Sequence, residues 1–344
     1  MSSPVIHFAI IGHGHIGKRH AAVIRETPGA IVTAICDVDA QKLAGIDEGV
    51  AVFTSITEML NSNLLIDVVN ICSPNGLHAE HALSCLQHNK HVVIEKPMAL
   101  QVADCDAVIK LAKDKNKEVF CVMQNRFSPP SVWIKSMLDT HALGKICMVQ
   151  VNCYWNRDER YYTGDSWHGT RDFDGGTLFT QFSHFIDTML WLFGDISDIH
   201  GIFDDYKHKH LTDFEDSGMV HFRFINGAIG SLQYSTAVYD KNFESSIRII
   251  GEKGTVCLGG QYMNEVTYCH VQDYVMPELA PTAAPNNYGP YIGSAANHHF
   301  IIQNVLDVLH REAPIATTAE EGRMVVDVIS RIYALRAQHL TQKN

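Results

Sequence analysis

The sequence is short of positive charge. Its 344 residues carry 27 lysines and arginines against 38 aspartates and glutamates, which gives a formal net charge of −11. A protein that binds nucleic acid is expected to present a basic face, so this balance argues against a nucleic-acid partner. Single arginines and backbone amides can still bind a phosphate or carboxylate in an acidic protein. The net negative charge therefore does not exclude a small anionic ligand.

The chain also lacks long apolar runs and paired cysteines. No stretch approaches the roughly 20 apolar residues that cross a bilayer, and residues 1–5 lack the basic and apolar blocks of a signal peptide. The nine cysteines include no CxxC pair. No carboxylate or cysteine is spaced with the histidine pairs as a ligand set. We therefore expect free thiols, no metal, no membrane and a cytoplasmic location.

The length and the order of apolar runs predict two domains and an α/β fold class. Apolar runs alternate with helix-like stretches up to about residue 123, which predicts an N-terminal doubly wound Rossmann domain, 1–123. Beyond it, alternating runs joined by short turns predict a C-terminal α+β domain, 124–344, with an open, mainly antiparallel sheet. A helix is expected over 178–193, and the proline-rich segment 275–294 is expected to be exposed or a subunit arm. A C-terminal helix could pack back on the first domain.

The stretch from Val5 to Asp37 organises the first domain. An apolar run enters a turn in which Gly12, Gly14 and Gly17 follow the GxGxxG spacing of dinucleotide-binding turns. Such a turn places a diphosphate at the N-terminus of the following helix. Twenty residues after Gly17, a second apolar run ends in Asp37, whose carboxylate suits ribose hydroxyls and would repel a 2′-phosphate. The pattern favours NAD over NADP.

Two further strand ends could contribute to a site. One apolar run ends in Ser73-Pro74-Asn75, before a helix that begins near His78, and the next ends in Glu95-Lys96-Pro97. Ligands of open α/β sheets lie at the carboxyl edge, where these loops are expected. Oxidation of an alcohol by NAD needs a positioned base. Lys96 is the leading candidate, because like charge and desolvation near a nicotinamide would lower the pKa of its amine.

Other candidates lie beyond residue 123. His184 could act as a base or donor, and Asp187, one helical turn on, could orient its ring. Guanidinium groups bind carboxylate and phosphate through paired hydrogen bonds, and four arginines lie in polar, aromatic-rich segments: Arg126, Arg157, Arg160 and Arg171. For each arginine, an exposed solvated charge is at least as good an explanation.

Together these motifs resemble the glucose-fructose oxidoreductase/inositol dehydrogenase (Gfo/Idh/MocA) family. The resemblance rests on Gly12-x-Gly14-x-x-Gly17, Ser73-Pro74-Asn75-x-x-His78, Glu95-Lys96-Pro97, Gly175-Gly176 and His184-x-x-Asp187, in the family's order across essentially the whole chain. It implies tightly bound NAD, a cis bond before Pro97 and an oligomer, dimer or tetramer. It also implies Lys96 and His184 as the catalytic pair, with Asp187 near the sugar.

Within the family, the segments after residue 123 look most like the UDP-N-acetylglucosaminuronate 3-dehydrogenases of surface-polysaccharide pathways. The sequence departs from that group at Thr180, where asparagine is expected, and at Arg171, where tryptophan is expected. The implied cofactor-binding residues are Gly12, Gly14, His15, Ile16, Gly17, Asp37, Ser73, Pro74, Asn75, His78, Glu95, Lys96 and Gln124. The implied substrate-binding residues are Lys96, Asn125, Arg126, Arg157, Arg160, Trp167, Thr180 and His184.

The predicted function is thus oxidation of a sugar hydroxyl, C3 of a UDP-linked N-acetylhexosaminuronate, by NAD. Two alternatives stay open at this point. One is a dehydrogenase of a free polyol or sugar such as an inositol. The other is a regulator of the same fold that binds the cofactor without catalysis.

Overall fold

The structure is a computed structural model that describes residues 4–163, 167–289 and 291–342. By its internal contacts the chain groups into two compact units. The first contains the chain up to Met123 together with His298–Val326, and the second contains Gln124–Asn297 and the chain from Asp327 onward. The sequence predicts a domain boundary after residue 123, with a C-terminal helix that could pack back on the first domain. Residues 298–326, which the sequence assigned to the second domain, group with the first unit.

The first unit is built on a six-stranded parallel sheet with the order β3-β2-β1-β4-β5-β6. Its strands are β1 (Ile6–Ile11), β2 (Ala30–Cys36), β3 (Ala51–Phe53), β4 (Val68–Ile71), β5 (His91–Ile94) and β6 (Val119–Cys121). Apart from His7 and Asn70, strands β1 and β4 are apolar, and both are almost wholly buried, as is typical of parallel strands covered on both faces. The strand order reverses between β1 and β4, which is where such sheets bind ligands. The predicted Rossmann fold is confirmed.

The second unit contains a seven-stranded sheet with the order β13-β12-β11-β7-β10-β9-β8. Its strands are β7 (Ile146–Tyr154), β8 (Ile196–Asp204), β9 (Ser217–Phe224), β10 (Ile229–Ser235), β11 (Glu244–Gly251), β12 (Gly254–Gly259) and β13 (Glu265–Val271). Neighbouring strands are antiparallel except β7 and β10, which pair in parallel. The predicted mainly antiparallel sheet is confirmed, with one parallel pair that the short turn signals did not indicate.

The segment expected to be exposed or a subunit arm contributes to a small hairpin of β14 (Pro285–Asn287) and β15 (Ile292–Ala295). In chain order, the α-helices are α1 (His15–Glu26), α2 (Ile56–Leu60), α3 (His78–Gln87), α4 (Val102–Lys115), α5 (Pro129–Asp139), α6 (Glu159–Tyr162), α7 (Thr177–Thr180), α8 (Ser183–Phe193), α9 (His298–Leu309) and α10 (Ala319–Gln342). Among the described residues, no helix combines the length and the apolar character that crossing a bilayer requires.

The single helix expected over 178–193 is wrong, because it is divided into α7 and α8. The backbone breaks at Gln181 and Phe182. There the Gln181 side chain accepts a hydrogen bond from Arg157 Nε at 2.6 Å and donates one to the Tyr161 hydroxyl at 2.8 Å. Helix α8 also has no exposed face over its first two turns, since every residue from Ser183 to Leu190 is buried.

The cysteines are free thiols, as expected. Six of the nine are buried, but Cys147 is exposed even though it lies in an apolar run. It occupies β7 at a position whose neighbour Met148 is also exposed, so the start of this strand lies outside the core.

Candidate functional site

The three glycines of the turn after β1 differ in what requires them. Gly12 has φ +90°, and a Cβ there would lie 2.6 Å from the Cys72 carbonyl oxygen. A Cβ at Gly17 would lie 1.9 Å from the Gly12 carbonyl oxygen, so the fold also requires glycine where α1 meets the turn. Gly14 has φ −73°, and a Cβ there would meet nothing within 4 Å. No contact among the described residues requires glycine at this position, and the open space suits a ligand at the N-terminus of α1.

Asp37 lies at the end of β2 with its carboxylate held by backbone groups. One oxygen accepts from the His13 N–H at 2.7 Å, and the other accepts from the Asp39 N–H at 2.9 Å. Each carboxylate oxygen keeps a further lone pair for a hydroxyl donor. The glycine cradle and this oriented acid fit an NAD molecule, with the turn at its diphosphate and Asp37 at its adenosine ribose.

The loops after β4 and β5 are joined through His78. Its Nδ1 lies 2.7 Å from the Pro97 carbonyl oxygen, and its Nε2 lies 2.8 Å from the Ser73 carbonyl oxygen. Burial lowers the pKa of His78, against the effect of these two bonds. The Ser73 hydroxyl also bonds to His81 Nδ1 at 2.9 Å. The structure thus brings two predicted segments of the cofactor site together at one edge of the sheet.

Glu95 and Lys96 follow β5 directly. The Lys96–Pro97 peptide bond is cis, as the family resemblance implied. Glu95 is buried and bonds to His20 at 2.8 Å. Neither His20 nor its contact with Glu95 was predicted. The only trace in the sequence was a polar residue three positions after Gly17, on the face of α1 that turns toward the sheet.

In the second unit, Arg126 and Asp187 form a buried ion pair. Arg126 donates through Nε to one oxygen of Asp187 at 2.8 Å and through Nη2 to the other at 2.6 Å. The pair joins the short 3-10 helix Gln124–Phe127 to α8. His184 precedes Asp187 on the same helix and is also buried. Both carboxylate oxygens of Asp187 already accept hydrogen bonds from Arg126. The role of Asp187 in orienting the His184 ring stays a prediction.

Gln124 and Asn125 carry buried polar atoms without protein partners. Within the described part of the chain, Gln124 Oε1 and Asn125 Nδ2 make no hydrogen bond, although the Ser294 hydroxyl donates to Asn125 Oδ1. An unsatisfied buried polar atom costs about 1–3 kcal/mol, so each such atom in a native fold needs an explanation. A bound polar ligand would explain both atoms. The family resemblance implies the cofactor at Gln124 and the substrate at Asn125.

The remaining arginines lie in different settings. Arg157 is almost completely buried, with Nε on Gln181 and Nη1 on the Asn156 carbonyl oxygen, both at 2.6 Å. Its guanidinium also lies over the rings of Trp155, Tyr161 and Tyr291, at 4.9, 5.2 and 5.1 Å. Burial lowers its pKa, partly offset by the nearby tyrosines. These contacts occupy much of its donor capacity.

Arg160 is exposed and bonds to the Asp158 carboxylate at 2.7 Å. Arg171 donates to the Asp213 carbonyl oxygen at 3.3 Å. Trp167 stacks on His168 with ring centroids 3.9 Å apart. The Thr180 hydroxyl donates to the Asp174 carbonyl oxygen at 2.9 Å. The assignment of Arg160, Trp167 and Thr180 to the substrate stays a prediction.

Comparison with known proteins decides the family. A family model described as the oxidoreductase family, NAD-binding Rossmann fold, matches residues 6–123, and the GFO/IDH/MocA C-terminal domain model matches residues 132–257. The two matches cover more than half of the chain. The chain belongs to the GFO/IDH/MocA oxidoreductase family.

Among solved structures, the chain is similar to the WlbA dehydrogenase from Bordetella pertussis in complex with NADH and UDP-GlcNAcA. The identity is 28%, the TM-score is 0.86, and the match covers 97% of both chains. The WlbA dehydrogenase from Chromobacterium violaceum, in a complex with the same two ligands, is 29% identical with a TM-score of 0.86, over 98% of this chain and 96% of the other.

Among curated relatives, the myo-inositol 2-dehydrogenase of Thermotoga maritima is 27% identical over 257 residues. The match covers 72% of this chain and 73% of the relative. Family membership, the fit of the glycine turn and these neighbours make this GFO/IDH/MocA protein an NAD-binding oxidoreductase.

Proposed function

We propose that this oxidoreductase removes hydride from a ring carbon of a nucleotide-linked sugar, C3 of a UDP-N-acetylglucosaminuronate, in the biosynthesis of a surface polysaccharide. The observation that carries the proposal is the likeness to the two WlbA dehydrogenases bound to NADH and UDP-GlcNAcA, which extends over nearly the whole of each chain. The partnerless polar atoms of Gln124 and Asn125 add support from this chain itself.

When bound, NAD supplies the hydride acceptor at its nicotinamide. The chain's own part is to hold the sugar and to manage the hydroxyl proton. Lys96, at the carboxyl end of β5, takes or relays that proton, and His184 on α8 holds or shares it. The side chain of Arg160 is 50% exposed, and this arginine is a candidate for the diphosphate or the uronate. Its present partner is an exposed carboxylate, and such pairs are weak enough to exchange.

The test is Lys96→Met, which keeps the length of the side chain but removes the amine. A positioned base contributes about 10²–10⁴-fold to turnover, so we expect a loss of about 10³-fold with NADH binding retained. Lys113→Met, on an exposed turn of α4, is the matched control and should have native activity. Equal turnover in the Lys96 variant would rule out the proton role.

The alternative is a dehydrogenase of a free polyol, which the Thermotoga relative favours. UDP alone separates the two, because it should compete with a nucleotide-sugar and leave the oxidation of an inositol unaffected. A regulator without catalysis would form no NADH with any sugar of a broad panel, while still binding the cofactor.

We also propose that the protein is a homo-oligomer in the cytoplasm. Three apolar side chains form a row across neighbouring strands of the second sheet, with Ile250 and Ile229 each paired to Met148. They are 44%, 40% and 41% exposed, respectively, and exposed apolar rows of this kind mark contact surfaces. Light scattering should give a dimer or tetramer, and a monomer at micromolar concentration would contradict the proposal.

A further inference from the structure

Three buried side chains of the first unit meet next to Lys96, and we call them the Glu95 cluster: His20, Glu95 and His298. The Nε2 atoms of His20 and His298 lie 2.8 and 3.5 Å from the same Glu95 oxygen, Oε1. The two rings meet edge to face at 5.3 Å. Their side chains are 1% exposed for His20, 6% for Glu95 and 0% for His298. Burying a carboxylate and two imidazoles costs free energy unless each is paired or hydrogen-bonded.

The cluster joins elements that bind the cofactor to the segment that carries Lys96. His20 lies on α1, one turn after Gly17, and His298 is the first residue of α9. From β4, the Asn70 amide nitrogen bonds to His20 Nδ1 at 2.7 Å. With Nδ1 accepting this bond, the His20 proton lies on Nε2 and is donated to Glu95.

Glu95 is the ionised member of the cluster. Burial on its own would raise its pKa, but the close contacts with the His20 and His298 rings outweigh it and hold the pKa of this carboxyl well below its usual range. Burial lowers the pKa of His298. The first turn of α9 also favours a nearby carboxylate through its helix dipole.

The ionised carboxylate in turn binds the backbone of the segment. Its second oxygen, Oε2, accepts from the Lys96 N–H at 3.2 Å. On the other side of Lys96, His78 Nδ1 bonds to the Pro97 carbonyl oxygen at 2.7 Å. The backbone on both sides of Lys96 is therefore held by buried side chains.

We propose that His20 and His298 are positioning residues for Lys96: they hold the Glu95 carboxylate, which fixes the backbone from which the catalytic amine extends. Since His20 sits on the helix that starts at the glycine turn, the same contact sets the position of Lys96 relative to that turn. This inference rests on the proposed role of Lys96, and a displacement of a reacting group by about 1 Å can cost about 10²-fold in rate.

The same three side chains also make a possible metal-binding set, because their ligand atoms lie within 4.8 Å of one another. Two histidines and a glutamate are a known zinc set. A metal would have to displace the His20 proton that Glu95 accepts, because histidine binds a metal through a nitrogen that carries no proton. The two occupants are therefore distinguished by experiment.

The test replaces each histidine by leucine, which keeps bulk and removes the ring nitrogens, in the full-length protein. We expect His20→Leu and His298→Leu to lower kcat by about 10²-fold, with KM and the Kd of NADH changed by less than about twofold. His20→Gln restores a donor near Nε2 and should recover most of the loss. His299→Leu, at the exposed neighbouring position of α9, is the matched control and should be native.

Hydrogen exchange gives a readout that needs no substrate. In a fragment from Ile94 to Pro97, the first two residues lose their label and proline contributes no amide, so the Lys96 N–H carries the signal. Faster exchange there in both leucine variants, and native exchange in His299→Leu, would support the clamp even if no UDP-sugar were oxidised. Native exchange and native kcat in the leucine variants would overturn it. So would one equivalent of zinc in the purified protein that both substitutions remove.

Discussion

Gly14 and Gly17 lie three residues apart in one turn, but the structure gives them different reasons to be glycine. An alanine methyl at Gly14 meets nothing within 4 Å, and the backbone there, with φ −73°, accepts any residue. Gly14→Ala should therefore cost the fold less than about 1 kcal/mol, the penalty for a poorer N-cap. With NAD bound, the methyl fills space at the diphosphate. Overpacking of about 1–3 kcal/mol corresponds to about 5–150-fold weaker NADH binding.

At Gly17, by contrast, substitution by alanine should lower the stability of the fold itself. The added Cβ would lie 1.9 Å from the Gly12 carbonyl oxygen, against the 3.0 Å below which real Cβ contacts essentially never fall. Both sides of the contact are backbone, so α1 has to move away from the strand. Alanine gains about 1 kcal/mol of helix propensity, and overlap of this size costs about 3 kcal/mol. The net loss of about 2 kcal/mol corresponds to a fall in Tm of about 4–8 °C.

Thermal unfolding without cofactor and NADH titration by fluorescence measure the two effects separately. We expect Gly14→Ala to keep a nearly native Tm and to bind NADH weakly, and Gly17→Ala to lose Tm before any ligand is added. Native NADH affinity in Gly14→Ala would refute the placement of the diphosphate at this turn. An unchanged Tm in Gly17→Ala would refute the close contact between α1 and the turn.

Two further predictions concern stability. Arg126→Met leaves the buried Asp187 carboxylate without its cation and should lower the free energy of unfolding by about 3–5 kcal/mol. Arg160→Met removes an exposed pair and should leave the urea midpoint nearly unchanged. Equal losses of stability in the two variants would contradict this prediction. Burial lowers the pKa of His81 and of His91 to about 4, whereas the unfolded chain takes up these protons below about pH 6.5. The contribution of the two neutral rings to the free energy of unfolding is therefore fully present above that pH and is lost as the pH falls toward 4. The loss is at most about 1.4 kcal/mol per pH unit for each ring. It is smaller in practice because both rings are partly exposed. Urea unfolding at several pH values measures the slope, and a flat profile would contradict it.

Much of the first unit could be predicted because its signals are local. A buried parallel strand is largely apolar, and the spacing of Gly12, Gly14 and Gly17 follows from the backbone of one turn. The acid at Asp37 and the strand ends before Ser73 and Lys96 also stand at fixed places in a repeating βα order. These features identified the Rossmann fold and NAD before any contact was known.

Two features that depend on contacts between distant segments were not predicted correctly from the sequence. The break between α7 and α8 depends on the bonds from Gln181 to Arg157 and Tyr161, which come from separate segments. The ion pair between Arg126 and Asp187 joins residues 61 positions apart. Neither position carries a local pattern that names its partner.

The sequence by itself determined the alternation of strand and helix, the glycine turn and its acid, because periodicity and backbone conformation are properties of neighbouring residues. Only the tertiary structure decided which of the twenty histidines matter, because a histidine has the same local signature whether it faces water or a carboxylate. His20 and His298 lie 278 residues apart in the chain, and they share one oxygen of Glu95 only because α1 and α9 pack in the same unit.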